Sequence, residues 1–171
     1  DNDAMNWYQQ ALDYQHNNNP GSALISVNSA LRVSPELVVA KQLKQILEQE
    51  IETSSMLQHA NQLLKEGKVV LPKRDNALAA YQQLATFWGN DDIRVQQGYK
   101  HVADYYYNQA NIQFNRNNLN QAKSLTGSGL KIVSNYPPLL NLKNLISERE
   151  IATQIRLKQL AELEQFADNR H

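Results

Sequence analysis

The sequence predicts an all-α chain in which short and long helices alternate. Three observations carry this. Apolar residues recur at three- and four-residue intervals along the whole chain, the period of a helix with one buried face. Sustained period-two alternation with β-branched enrichment, which a strand needs, is absent. Proline, glycine and asparagine turn signals cut the helical pattern at Asn17 to Asn19, Pro20-Gly21, Pro35, Gly67, Pro72, Gly89, Asn117-Asn118 and Pro137-Pro138.

The elements follow from those cuts. The first helix is expected over 3–16 and the second over 22–33, with Ser34-Pro35 restarting the chain at a first helical turn. Leu37, Leu43, Ile46, Ile51, Leu57, Ala60 and Leu63 keep helical spacing up to Gly67, so the third helix is long. Thr53-Ser54-Ser55 are weak helix formers and are candidates for a kink. After the Lys68 to Arg74 loop, Asp75 is expected to cap a short helix ending at Trp88-Gly89. A long helix follows from Asp91 to about Asn117, a short one from Leu119 to Ser134, and a long one from Pro138 to Phe166.

Composition bounds the function classes. The chain has 171 residues, with 17 basic and 17 acidic side chains and no cysteine. Zero net charge supplies no general pull toward nucleic acid or anionic lipid. Without cysteine there are no disulfides, thiolate metal sites or thiol nucleophiles. The longest apolar runs, such as Leu37 to Ala40, are far short of the roughly 20 residues of a membrane span. Asn and Gln together supply 37 residues, so amides rather than ions wet much of the surface. The start at Asp1-Asn2-Asp3, without an initiator Met or an apolar signal core, implies either a removed leader or a segment of a longer protein. The end at Asp168-Asn169-Arg170-His171, without a cap or tail, leads us to expect the segment.

A common frame underlies the alternation. Trp7, Ala11, Tyr14, Ala23, Val27, Ala30 and Pro35 stand at spacings of 4, 3, 9, 4, 3 and 5. Small Ala11 and Ala23 would let two antiparallel helices approach closely while Trp7, Tyr14 and Val27 fill the space around the crossing. Met56, Ala60 and Leu63, then Ala77, Tyr81 and Leu84, repeat the frame after an inserted loop; Tyr106, Ala110, Ala122 and Gly129 repeat it again. Ala11 to Ala60 is 49 residues and Ala60 to Ala110 is 50. These residues resemble the tetratricopeptide (TPR) repeat, with Gln10, Gln113 and Thr126 departing from its pattern and with about 15 residues more per unit than the usual 34. The resemblance covers about residues 7–140. It implies a right-handed solenoid of helical hairpins with a concave face for peptides or partner proteins, the extra residues lengthening the connecting helices. We expect one TPR-like domain over 1–171, with units at about 3–35, 53–89 and 103–137 and a C-terminal long helix over 138–167.

Candidate residues follow from the frame. Tyr99, Val102, Ala103, Tyr106, Ala110 and Phe114 share a face, while Tyr105 and Ile112 point the other way. Either this central helix packs on two sides, or Tyr105 with Asn108, Gln109 and Asn111 forms part of a groove, rigid aromatic area combined with directional hydrogen bonds. The candidate ligand-binding residues are His59, Gln62, Tyr105, Asn108 and Gln109. In the Lys68–Arg74 loop, Val69-Val70-Leu71 should tuck onto the hairpin or meet a partner, and tucking is the simpler outcome. His16, His59, His101 and His171 show no metal-ligand spacing, and no catalytic constellation is found. Gly127-Ser128-Gly129 lies inside a helical pattern without the Walker lysine, and Gly129 reads as the small crossing residue of the third unit.

The expected function is that of a non-catalytic protein- or peptide-binding scaffold, with no cofactor, no metal, no nucleic acid and no direct membrane insertion. The alternative is a spacer or oligomerisation arm: the last helix carries apolar residues beyond any following hairpin. Intramolecular packing, a missing next unit or a homodimer contact would cover them, truncation from a longer chain being the expected reason. Degenerate helical repeats of this kind occur in bacterial envelope proteins, so a periplasmic or envelope location is expected, with the cytoplasm as the alternative.

Overall fold

The computed structural model describes residues 2–170. Among them are seven helices and no strand: α1 Asn2–His16, α2 Pro20–Val33, α3 Val38–Lys65, α4 Ala77–Trp88, α5 Ile93–Asn115, α6 Leu119–Ile132 and α7 Pro137–Asp168. The chain divides after Gln62 into two compact units.

The first unit is built on small residues. Ala11 on α1 and Ala23 and Ala30 on α2 have no exposed surface, and Val27 is equally buried between them. Ala40, Leu43 and Leu47 of α3 join the same cluster, with Tyr8, Leu12, Leu24, Leu31 and Leu37 around it. Trp7 and Tyr14, expected to fill this crossing, instead stay 41% and 36% exposed. Ala4 and Ala11 are the buried residues of α1, two turns apart, and that line turns Tyr8 and Leu12 inward and leaves Trp7 and Tyr14 at its edge. Gln10, one of the departures from the repeat pattern, accepts a 3.3 Å hydrogen bond from the Ser26 hydroxyl across the hairpin. Thr53, 3% exposed, does not interrupt α3: its hydroxyl bonds back to the Gln49 carbonyl at 2.8 Å.

In the second unit two glycines set close helix approaches. A Cβ at Gly98 of α5 would lie 2.4 Å from the Tyr81 ring of α4. One at Gly129 of α6 would lie 2.5 Å from Leu139 Cδ1 of α7 and 2.9 Å from Tyr106 Cβ of α5, so Gly129 is a crossing residue. Ala110, Phe114 and Ala122 pack with Leu142 and Ile146 of α7. Nearby, Ala103 packs with Tyr136 and Leu139, and the Tyr136 hydroxyl donates to the Asp104 carboxylate.

Two helix starts differ from expectation, the cap of α4 by one residue and the start of α5, expected at Asp91, by two. The N-cap of α4 is Asn76, not Asp75: Asn76 accepts from the Ala79 amide and donates to the Pro72 carbonyl, both at 2.8 Å, a pair of bonds a carboxylate cannot make. α5 begins at Ile93, where Asp92 is the N-cap and also holds the Arg94 guanidinium. The Lys68–Arg74 loop is divided: Val69 is buried, whereas Leu71 is 68% exposed. The Lys68 and Val69 carbonyls accept the Ala77 and Leu78 amides, closing the first turn of α4.

Three turns share one hydrogen-bond pattern. The Asn19, Lys68 and Asn118 amides each reach back five residues, to the Tyr14, Leu63 and Gln113 carbonyls, at 2.9 Å in all three. The residue before each is left-handed: Asn18 at φ 55°, Gly67 at 73° and Asn117 at 62°. This is the Schellman helix ending, which needs a residue tolerating positive φ.

Candidate functional site

α5 is fixed along one face by Val95, Gly98, Val102, Ala103, Ala110 and Phe114, all buried. Tyr105, Asn108 and Ile112 lie away from that face, and Gln109, seven residues from Val102, borders it, so the four form one stripe running from the exposed side to the edge of the packed one. Asn108 and Ile112 are exposed, while Tyr105 and Gln109 are half-buried. The Tyr105 ring meets the Tyr106 ring edge-on at 5.7 Å and 70°, the preferred geometry for an aromatic pair. Tyr106 is half-buried, and burial first, then the neighbouring Tyr105, raises its phenol above the ordinary tyrosine range. Tyr105 is thereby held by a packed neighbour while part of its surface stays open.

The chemistry of this stripe is uncharged. Two amides supply donors and acceptors together, and the tyrosine adds flat area and a hydroxyl. Such a set can hold peptide backbone or another amide-rich surface. It contains no nucleophile–base pair.

His59 and Gln62 lie three residues apart on α3 in the first unit, on one face and both exposed. Each interacts with neighbouring groups of the protein. Tyr105, Asn108 and Gln109 belong to the second unit, where the structure brings them together on α5. His101 and Ile112 extend the same stripe by one turn at each end, are exposed, and were not among the expected site residues, although the 4-3-4 spacing of 101, 105, 108 and 112 marks them.

Two further arrangements sit near helix ends. Arg94 lies 3.4 Å above the Trp88 ring while paired with Asp92 at 2.8 Å. The Arg94 hydrogen bond holds the Asp92 carboxyl down at about 2. Arg149 covers the Phe114 ring at 3.8 Å and donates to the Phe114 carbonyl at 3.0 Å, closing the end of α5. Among the described residues no cluster of three His, Asp or Glu could hold a metal ion; His171 lies outside them. Among the described residues no helix is long and apolar enough to cross a membrane.

Compared with protein-family models, curated proteins and solved structures, the chain shows no significant match to any of them.

Proposed function

We propose that the chain is a non-catalytic binding scaffold built from a degenerate, TPR-like helical repeat, and that the α5 stripe of Tyr105, Asn108 and Gln109 takes a peptide or protein partner. The observation that carries it is the recurring turn. Its left-handed residues, Asn18, Gly67 and Asn117, follow one another at 49 and 50 residues, the intervals that separate Ala11, Ala60 and Ala110. Ala4, Thr53 and Ala103, all nearly or fully buried, keep the same intervals. Repeat units of this kind bury their own interior and leave faces open for recognition. His59 and Gln62 occupy the corresponding stretch one repeat earlier and would contribute a separate contact. A bacterial envelope location, periplasmic if exported, suits a neutral, cysteine-free scaffold.

Selection of a random peptide library on the intact protein tests the α5 stripe. Enriched peptides should lose most of their affinity for Tyr105→Ala and Asn108→Ala variants whose circular dichroism is unchanged. Peptides that bind parent and variants alike would place recognition elsewhere.

One observation favours a spacer or oligomerisation arm. From Ile151 to Arg170 every residue of the α7 end is exposed, including Ile151, Ile155, Leu160, Leu163 and Phe166. Sedimentation equilibrium separates the two: a dimer dissociated by Leu160→Glu supports the arm, and a monomer removes it.

A further inference from the structure

We infer a second recognition site, the groove between α6 and α7, selective for an extended acidic peptide with one apolar anchor, in the pattern acid–x–apolar–x–acid. The groove encloses about 360 Å³ and is walled in part by Leu130 and Ile146, with Gly127 opening one side. Lys123, Lys131 and Lys143 also line it, and no acidic residue does. In a protein with 17 bases against 17 acids, three cations around one apolar groove are a local excess.

The spacing defines the ligand. Lys123 and Lys131 are eight residues apart on α6, about 12 Å along the axis. An extended peptide covers that span in roughly four residues at about 3.3 Å each. Residues at i, i+2 and i+4 of an extended chain face the same way, so two acids and the apolar residue midway between them would all point into the groove. The two ends are unequal. Lys123 is shared with Glu150 at 3.2 Å, whereas Lys131 and Lys143 form no ion pair among the described residues. An incoming carboxylate therefore gains more at the Lys131–Lys143 end.

A second copy of the chain does not supply this ligand. The exposed acidic stretch of α7 is helical, with Leu163 and Phe166 on one face and Glu164 and Asp168 on the opposite one. Arg170 also stacks over the Phe166 ring at 4.8 Å and would bring a cation toward the lysines. The occupant is a peptide from another protein. The site deepens the scaffold proposal but does not depend on the α5 stripe.

The test is fluorescence anisotropy on the full chain with end-capped, labelled peptides having Asp and Glu on either side of a central Leu. Binding should weaken as salt rises, and replacing the acids by Gln should abolish it. Lys131→Gln with Lys143→Gln should weaken it about ten-fold or more, and Lys123→Gln by less, because Glu150 already occupies that amine. Gly127→Phe is the decisive variant. Gly127 lines the groove, and a Cβ there meets no atom within 4 Å, so a large side chain at this position starts from open space beside the groove. It should abolish binding with the circular dichroism unchanged, while Tyr105→Ala leaves binding intact. Equal affinity for the Gln peptide, retained binding by Gly127→Phe, or tighter binding of a medium-chain fatty acid than of any acidic peptide would each overturn the assignment. Loss of binding in Tyr105→Ala would instead merge this site with the α5 stripe and overturn its independence.

Discussion

Replacing Gly98 by alanine separates two opposing effects whose sizes can be worked from the structure. Inside a helix the exchange normally stabilises by about 1 kcal/mol, because glycine loses more backbone freedom on folding. At Gly98 the new methyl would lie 2.4, 2.5 and 2.6 Å from three carbons of the Tyr81 ring. Tyr81 is 1% exposed, so its ring cannot swing out into solvent without opening the packing around it. Overpacking of this kind costs about 1–3 kcal/mol, and three ring contacts put it at the upper end. The net expectation is a loss of about 2 kcal/mol. Gly127→Ala supplies the control: it lies in α6 of the same unit, in open space, and should gain about 1 kcal/mol. For a chain of this size the melting temperatures should move in opposite directions, roughly 4–8 °C down and 2–4 °C up. Thermal and urea unfolding followed by far-ultraviolet circular dichroism would read both. A Gly98→Ala protein as stable as the parent would refute the close approach of α4 and α5.

Three further outcomes are expected. Asp92→Asn keeps the cap acceptor and removes the charge. The folded carboxyl titrates at about 2 against an ordinary 3.8, so its stabilisation is present above the ordinary value and is lost as pH falls through the folded one. Parent and variant should therefore differ near neutral pH and converge at about pH 2, as read by urea midpoints. Gly67→Ala forces alanine into φ 73°, which costs about 1–2 kcal/mol in unfolding free energy, whereas Asn18→Gly at φ 55° should be neutral or slightly stabilising. Arg149→Ala removes both the ring contact and the bond to the Phe114 carbonyl and should cost about 1–2 kcal/mol, with Arg149→Lys recovering only part in the same denaturation assay.

The helices were legible because their ends are chemical. Asn17 to Asn19, Gly67 and Asn117-Asn118 stop helices by tolerating left-handed backbone, and the structure uses a residue from each group in that way. Side-chain roles within a helix were less legible. Trp7 and Tyr8 are neighbours of similar size, and which of them turns inward depends on where the partner helix crosses, not on either residue. Asp75 and Asn76 are both capping residues, and the loop carbonyl of Pro72 decides between them by accepting from the amide of Asn76. On α5 the stripe through Tyr105, Asn108 and Gln109 was visible, because one helix contains all of it. The lysine-lined groove was not, because it combines α6 with α7, and their separation is set by Gly129 lying against Leu139.

That last dependence explains where the large apolar side chains of this protein lie. Helix pairs packed through Ala11 with Ala23 and Ala30, through Ala110 with Ala122, and through Gly98 with Tyr81 leave little interior volume. Close crossings of this kind belong at the short end of the roughly 8–10 Å range of helix separations. Bulky residues turned away from such crossings remain on the surface, as Trp7, Ile25 and Ile112 do, each at least 41% exposed. On α5, Asn108, Gln109 and Asn115 stand within one turn of Ile112, and amides can form directional hydrogen bonds without the cost of desolvating an ion. Tight small-residue packing and amide-rich surfaces are thus two sides of one arrangement, and the α5 stripe is where both coincide on a single rigid helix. Exchanging Asn108 and Gln109 for Glu would retain polarity and helix propensity while adding charge. If recognition there is by uncharged hydrogen bonds, that exchange should abolish binding of library-selected peptides as fully as Tyr105→Ala does, with melting temperature unchanged; retained binding would show that the amides serve only to wet the helix.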